Sequence, residues 1–408
     1  MQKVTVILDL GNSQTRALVS TGEIDTESRK SHILQLDNRF SNPFRLISSR
    51  LDPEKYDTDN SLMFEVKDTP LNGHLISQKV VYGLLAEYEY GMTYSSPDVS
   101  IPKYRNTATI FNTINALYRT LEWIKKENNS ILSISDLAQG VEFSLTVLLP
   151  PEQAVHQKNL IEDLKNITPA HFDMTDETIQ FNVNNVTIQQ EGYTAFYGTF
   201  IDRRTRKPRA SLANAILKKI LLVDIGQGTT DIMIIENMKA IESSKRTFPI
   251  GGSNVHSATR AIVSKETGLS FDTKEFVSAC NTGLLGVGNT QKEISEYVNE
   301  SKFNVAYKIV SEIKEYLLAN QINPTSLKYV LVVGGGTMES ENKDIKSLGS
   351  FIHNHFQDLT PETDLIDINT VETATLMMGK DEMFSARTVN LLGAGILTDI
   401  RELKKETK

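Results

Sequence analysis

The sequence predicts an α/β protein built from two similar lobes. Residues 6–19 (VILDLGNSQTRALV) and 221–234 (LLVDIGQGTTDIMI) repeat one pattern: apolar strand, Asp, apolar residue, Gly, short turn, Thr, second strand. Asp9 aligns with Asp224, Gly11 with Gly226 and Thr15 with Thr230 at a constant offset. Self-similarity over so long a period marks a duplicated unit more firmly than either copy alone. Around both copies, strand-like apolar runs alternate with segments of helical periodicity, as in α/β chains.

At 408 residues the chain has room for two or more domains. It is 39% hydrophobic and 23% charged, which suffices for a sizeable core. No run of about 18 apolar residues is present, so no membrane-crossing helix is expected. Met1-Gln2-Lys3 leads directly into a strand-like run without the apolar stretch of a signal peptide. Cys280 is the single cysteine, which excludes an internal disulfide or a thiol-built zinc site and fits a reducing, cytoplasmic setting. Its expected role is packing. A formal net charge of −8 works against direct binding to DNA. The one dense basic run, 203–209 (RRTRKPR), reads as a solvated loop, or more sharply as a contact for an acidic partner.

The elements follow in order. Residues 3–10 are β-branched and apolar, a buried strand, and QTRALVS after the Gly11-Asn12 turn completes a hairpin. Residues 35–100 are polar and irregular, with strand-like pieces such as LMFEV, and read as an inserted subdomain or long loops. Phe111, Ile114, Leu117, Leu121 and Ile124 recur at helical spacing within 107–127. Residues 141–149 form a strand closed by Pro150-Pro151, and 178–190 alternate as another. Residues 191–202 read as a helix, and KKILLVDIG near 219 as a buried strand. A helix over 253–267 stops at Gly268. In helix 303–319, Phe303, Tyr307, Val310, Ile313 and Leu317 share a face. Strand 328–333 runs into three glycines, helices at 340–356 and 370–380 follow, and a weakly amphipathic tail from Gly395 reads as packing on the first lobe, with a membrane-surface helix as the alternative. The expected boundaries are 1–190 with 389–408 as one lobe, 191–203 as a connecting helix and 204–388 as the second lobe.

In each hairpin a strand delivers an Asp to the mouth of a cleft, and Gly permits the tight turn that follows. Successive backbone N–H groups there form an anion-binding nest, reinforced by Ser and Thr hydroxyls. The Asp would repel phosphate directly, so it is suited to hold a hydrated Mg2+, which prefers oxygen ligands and keeps several waters. Two such hairpins facing one another would clamp a polyphosphate.

With these motifs the sequence resembles the actin, heat-shock-chaperone and sugar-kinase superfamily, whose actin-like (ribonuclease H-like) fold sets duplicated lobes around a nucleotide cleft. DLGNSQTR (9–16) resembles its first phosphate loop, DIGQGTTD (224–231) its second and VVGGG (332–336) its adenosine loop. EGYTAFYG (191–198) resembles the first connecting helix, and SARTVNLLGAG (385–395) the second, with Asn390 and Gly393 at characteristic places. The resemblance spans nearly the whole chain apart from the insert. It implies ATP and Mg2+ as ligands, with Asp9 and Asp224 orienting the metal through water. Gly11, Asn12, Ser13, Gln14, Thr15 and Arg16 would face the phosphates from one side, and Gly226, Gln227, Gly228, Thr229 and Thr230 from the other. Gly334, Gly335 and Gly336 would lie at the adenosine. Glu191 stands where filament-forming relatives carry the group that positions the attacking water, and Asp224 joins it as a catalytic residue. The bland alternative for Glu191 is a first-turn acid favoured by the helix dipole. Asp231 would either reach the metal or brace the second hairpin.

Fold alone does not choose among filament-forming actins, chaperone-type ATPases and small-molecule kinases. Only about a dozen residues follow Gly395, which leaves no expected room for a chaperone's substrate domain, and no sugar-kinase carboxylate is identifiable. The compact layout and GGSNVHSATRAI (251–262) resemble the bacterial ParM and Alp group of plasmid-segregating actins. That resemblance implies head-to-tail filaments formed with ATP and destabilised on hydrolysis. It also implies a DNA-bound adaptor of the ParR type, with no direct DNA binding and no membrane contact. The open alternatives are a monomeric ATPase of the same fold (small-molecule kinase or chaperone-like) and a cell-shape or division actin.

Overall fold

The structure is a computed structural model describing residues 1–11, 14–24, 26, 28–37, 40–41, 61–83, 86, 101–271, 273–288, 290–337, 340–359, 363–367 and 388–406. The chain divides into two compact units, Met1–Thr194 with Leu376–Glu382 and Leu391–Lys408, and Ala195–Thr375 with Met383–Asn390.

In the first unit, β1 (Gln2–Leu10) and β2 (Gln14–Thr21) form an antiparallel hairpin that sets Asp9 opposite Arg16 and Leu10 opposite Thr15. β3 (Lys30–Asp37) adds to β2. β4 (Phe40–Ser41), β5 (Ser61–Leu71) and β6 (His74–Gly83) belong to a second sheet. α1 (Thr107–Glu127) follows, with the Asn106 side chain accepting from the Ala108 N–H as its N-cap. Its residues Phe111, Ile114, Leu117, Leu121 and Ile124 are all buried, as their spacing requires. After α2 (Ile134–Gln139), β7 (Val141–Leu149) lies parallel to β1. α3 (Gln157–Lys165), β8 (Ala170–Phe172) and β9 (Glu177–Ile179) come next, and β10 (Val183–Gln190) lies parallel to β7. The main sheet therefore runs β10-β7-β1-β2-β3.

The second unit repeats the plan. α4 (Tyr193–Phe200) leads to β11 (Ile220–Ile225) and β12 (Thr230–Glu236), a hairpin that sets Asp224 opposite Asp231. Short strands β13 (Lys239–Ala240) and β14 (Arg246–Phe248) pair with β12. α5 (Gly252–Thr267) ends at Gly268, which takes φ +70°. α6 (Thr273–Thr282), the hairpin β15 (Leu284–Val287) and β16 (Thr290–Glu293), and α7 (Ser295–Ala319) follow. β17 (Tyr329–Val333) lies parallel to β11 and, after α8 (Leu348–Leu359), β18 (Asp364–Asp367) lies parallel to β17. Every residue of β11 is buried, which explains its unbroken apolar run around Asp224. Each unit thus contains a hairpin whose first strand is extended on its other side by two successive parallel strands, β7 and β10 in the first unit and β17 and β18 in the second. The chain then returns to the first unit, where Leu391 and Ala394 of α9 (Val389–Glu406) cluster with Ile7, Leu18 and Leu148.

Several expectations change. The described part of 35–100 is built into a sheet ordered β4-β6-β5-β8-β9. Its hairpin turns at Asn72-Gly73, with φ +50° and +82°, a two-residue turn that matches the strand twist. Residues 178–190 do not run as one strand, because the chain changes sheet between β9 and β10, where Asn182 O accepts from the Phe143 N–H at 2.8 Å. Helix 340–356 begins only at Leu348, where the Ser347 hydroxyl accepts from the Ser350 N–H. On α7, Phe303 and Tyr307 are exposed, because Val305, Ile309, Ile313 and Leu317 form the core stripe. The basic run is not simply solvated, since Arg203 and Arg209 are buried. The expected helix at 370–380 lies outside the described residues.

Candidate functional site

Both hairpins turn at a glycine for a steric reason. A Cβ on Gly11 would stand 2.6 Å from the Gln14 carbonyl oxygen. On Gly226 it would stand 3.3 Å from the Thr229 carbonyl oxygen, which accepts from the Gly226 N–H at 2.8 Å. Asn12 and Ser13 lie outside the described residues. Arg16 folds back along its strand, its Nη2 donating to Gln14 Oε1 at 2.8 Å. Thr15 and Thr230 occupy matching, fully buried positions. The Thr230 hydroxyl donates to Ile250 O at 2.7 Å and so braces the hairpin from inside.

In the second unit the loops converge. Asp224 is 8% exposed, and its Oδ2 accepts from Asn390 Nδ2 at 2.8 Å. Gly334, at φ +94°, presses on this residue: a Cβ would lie 2.4 Å from Asp224 Oδ1 and 2.5 Å from Ile225 O. A Cβ on Gly336 would meet Ile225 Cγ2 at 2.6 Å. The glycines after β17 therefore let backbone lie against backbone. The start of α5 is clipped to the other side of the loop. Gly252 and Ser253 N–H groups donate to Gly226 O at 3.0 Å and Gln227 O at 2.7 Å. Asp231 accepts from the Thr247 hydroxyl of β14, the bracing role. The structure thus gathers Asp224, Gly226–Thr230, Gly334–Gly336 and Asn390 at the carboxyl ends of β11 and β17, where open α/β sheets bind ligands.

In the first unit, Asp9 is in register with Leu148 of β7, and Leu148 with Gln189 of β10. Glu191 continues that register, its N–H donating to Leu149 O at 2.9 Å. Asp9 and Glu191 therefore stand at the same carboxyl edge, with Glu191 just past the end of the strand two places along from β1. Glu191 lies before α4, not in its first turn, because Gly192 at φ +76° separates them. Its Oε1 accepts from Lys103 Nζ in a pair whose side chains are 15% and 13% exposed. Local sequence did not mark Lys103, which follows Pro102 in an aperiodic polar stretch, nor Thr247.

Among the described residues, no cluster of three or more His, Cys, Asp and Glu could hold a metal directly. Asp9 in the first unit and Asp224 in the second are each a single hard carboxylate, which suits contact with Mg2+ through its waters rather than direct chelation. No helix among the described residues is long and apolar enough to cross a membrane.

A family model for the C-terminal part of archaeal MreB-like actin homologues matches residues 222–343, which contain the second hairpin and the glycine loop. By structure, the archaeal actin homologue Ta0583 in complex with ADP superposes with TM-score 0.60 at 16% identity, over 97% of this chain and 99% of that one. Actin-like protein Alp7A gives 0.66 at 12% identity, over 99% and 98%. The fold is actin-like. ParM of Clostridium botulinum, solved as a 15-stranded filament, shares this actin-like fold with TM-score 0.59 at 16% identity, over 98% and 100% of the chains. Sequence comparison with curated proteins finds no significant match.

Proposed function

We propose that this chain is a cytoplasmic, ATP-dependent, filament-forming actin-like protein that drives plasmid DNA segregation through a DNA-bound adaptor of the ParR type. The observation that carries the nucleotide part is the duplicated half-site. Each unit carries an Asp one residue before the end of a buried strand that leads into a glycine-turned loop, and the second adds the Gly334–Gly336 loop. The ADP complex of Ta0583 supports a nucleotide ligand, and the filament of the C. botulinum ParM supports self-assembly. The segregation part rests on the resemblance of the compact layout and of residues 251–262 to the ParM and Alp group.

Bound Mg-ATP supplies a phosphoanhydride and its compensating cation. Backbone N–H groups of the loops after Asp9 and Asp224 hold the phosphates, and Gln14 and Arg16 add donors from one side. Asp9 and Asp224 orient the magnesium waters. Asn390 fixes one Asp224 oxygen, so that carboxylate is preorganised. Glu191 orients the attacking water, since phosphoryl transfer demands mostly positioning and charge compensation. Gly335 and its neighbours admit the adenosine against the backbone.

Light scattering and pelleting with Mg-ATP, Mg-ADP or no nucleotide test this. The expected result is assembly with ATP, lost in Asp224→Ala and prolonged in Glu191→Ala. ATP turnover with no assembly across a wide range of protein concentration would overturn the filament reading in favour of a monomeric ATPase.

A further inference from the structure

The Lys103–Glu191 pair is held more rigidly than its two long side chains require. Lys103 lies in a single turn, Lys103–Arg105, between Pro102 and the cap of α1. Its backbone is tied from three directions. The N–H donates to Gln153 Oε1 at 2.8 Å, and the carbonyl accepts from Thr109 Oγ1 at 2.6 Å and from the Asn106 N–H at 3.2 Å. The next residue, Tyr104, is buried and stacks on His156 with ring centroids 4.3 Å apart. Gln153 and His156 belong to the segment that leaves the end of β7, and the Glu191 N–H is bonded to Leu149, the last residue of β7. Both partners therefore hang from the same strand end, at the edge that also carries Asp9.

Removing two charges from water recovers little net stability, so a buried ion pair is a poor device for stability alone. It is a good device for direction. A glutamate has three side-chain torsions, and an ammonium on Oε1 fixes them and with them the line along which the carboxylate addresses a water. Placement errors of about 1 Å cost roughly a hundredfold in rate.

We infer that Lys103 is a positioning residue for hydrolysis, holding the Glu191 carboxylate in the orientation that aligns the attacking water. The inference rests on the role proposed above for Glu191. Lys103 acts through that carboxylate and contributes nothing to nucleotide affinity.

The test is steady-state ATP turnover of the full chain as wild type, Lys103→Met, Lys103→Arg, Glu191→Gln and the Met/Gln double variant, with affinity measured separately by titrating a fluorescent ATP analogue. Lys103→Met is expected to lower kcat about tenfold or more, with KM and affinity within about twofold of wild type. Lys103→Arg should recover most of the loss, and the double variant should be no slower than Glu191→Gln alone. A loss confined to KM or affinity, or losses that multiply in the double variant, would overturn the inference. Should Lys103→Met not fold, Lys103→Gln carries the same comparison. Unchanged turnover in Glu191→Gln would instead remove the catalytic role of Glu191, and with it that of Lys103, while leaving nucleotide binding to stand on the affinities. No turnover in the wild type would overturn the ATPase reading itself.

Discussion

Lys302 on α7 reaches the loop before α8, its Nζ donating to the Ser340 hydroxyl and the Lys346 carbonyl, both at 2.9 Å. Burial pushes this ammonium down to about 8 from 10.5, against a smaller opposing effect of the Cys280 thiol. Cys280 is buried with Val263, Phe276 and Ala279, and burial pushes it up to about 11, so it serves as packing rather than as a nucleophile. Because the folded value for Lys302 lies below the unfolded one, the unfolded chain binds more protons between them. The penalty is therefore full below about 8 and fades as pH rises toward 10.5. Urea unfolding at pH 7.5 and 9.5 should show the wild type gaining on Lys302→Met by on the order of 2 kcal/mol. An unchanged difference between the two proteins would show that the ammonium is solvated. Residues whose role is backbone geometry were readable in advance: Gly11 and Gly334 sit where a Cβ would strike a carbonyl oxygen or Asp224, and Gly226 where one would crowd the Thr229 carbonyl. Lys103 and Thr247 were not, because their partners lie 88 and 16 residues away and no local pattern points to them.

The carboxyl end of α4 is closed by the segment that follows it. The chain turns at Asp202, whose carboxylate accepts from the Thr205 N–H and hydroxyl, and returns through the Ile201–Pro208 bridge. Arg209 then donates from Nε to Thr199 O at 2.7 Å and from Nη2 to Gly198 O at 3.3 Å and Ile201 O at 3.1 Å. A cation on the terminal carbonyls satisfies them and complements the helix dipole. Arg209→Met should leave these acceptors dry and cost about 3 kcal/mol, read as a lower urea midpoint at unchanged slope. A loss under about 0.5 kcal/mol would mean water replaces the guanidinium. A run of charges reads as solvent-facing by composition, which holds for Arg204 and Lys207, and only the position of the helix end makes Arg209 internal. α7 teaches the same lesson. Helical spacing placed Phe303 and Tyr307 on the core face, but the stripe through Val305, Ile309 and Ile313 takes the core and leaves those two rings at the rim against His355. The hairpin at Asn72-Gly73 was missed, because the polarity of 35–100 suggested loops and outweighed a two-residue turn signal.

At the scale of the molecule, the two units carry the same hairpin with the same flanking parallel strands. If each supplies part of one nucleotide site, ATP should stabilise the native chain by mass action. The gain is about 2.7 kcal/mol at a hundredfold excess over Kd, seen as a rise in thermal midpoint with Mg-ATP. Asp9→Ala and Asp224→Ala lie in different units, so each alone should abolish most of that rise. A rise that survives Asp9→Ala would show that the second unit binds nucleotide by itself.

The sequence by itself determined the duplicated plan, the two Asp–Gly hairpins, the helix over Thr107–Glu127 and the glycine loop after β17. All of these are written in short-range patterns: strand alternation, helical spacing, and glycine where the backbone must turn or touch. Only the tertiary structure decided that Arg209 closes a helix, that 178–190 divides between two sheets, and that Lys103 grips Glu191. Those outcomes depend on which surfaces meet. Burial and ion pairing are properties of neighbours in space, and a residue type carries no address for a partner far along the chain.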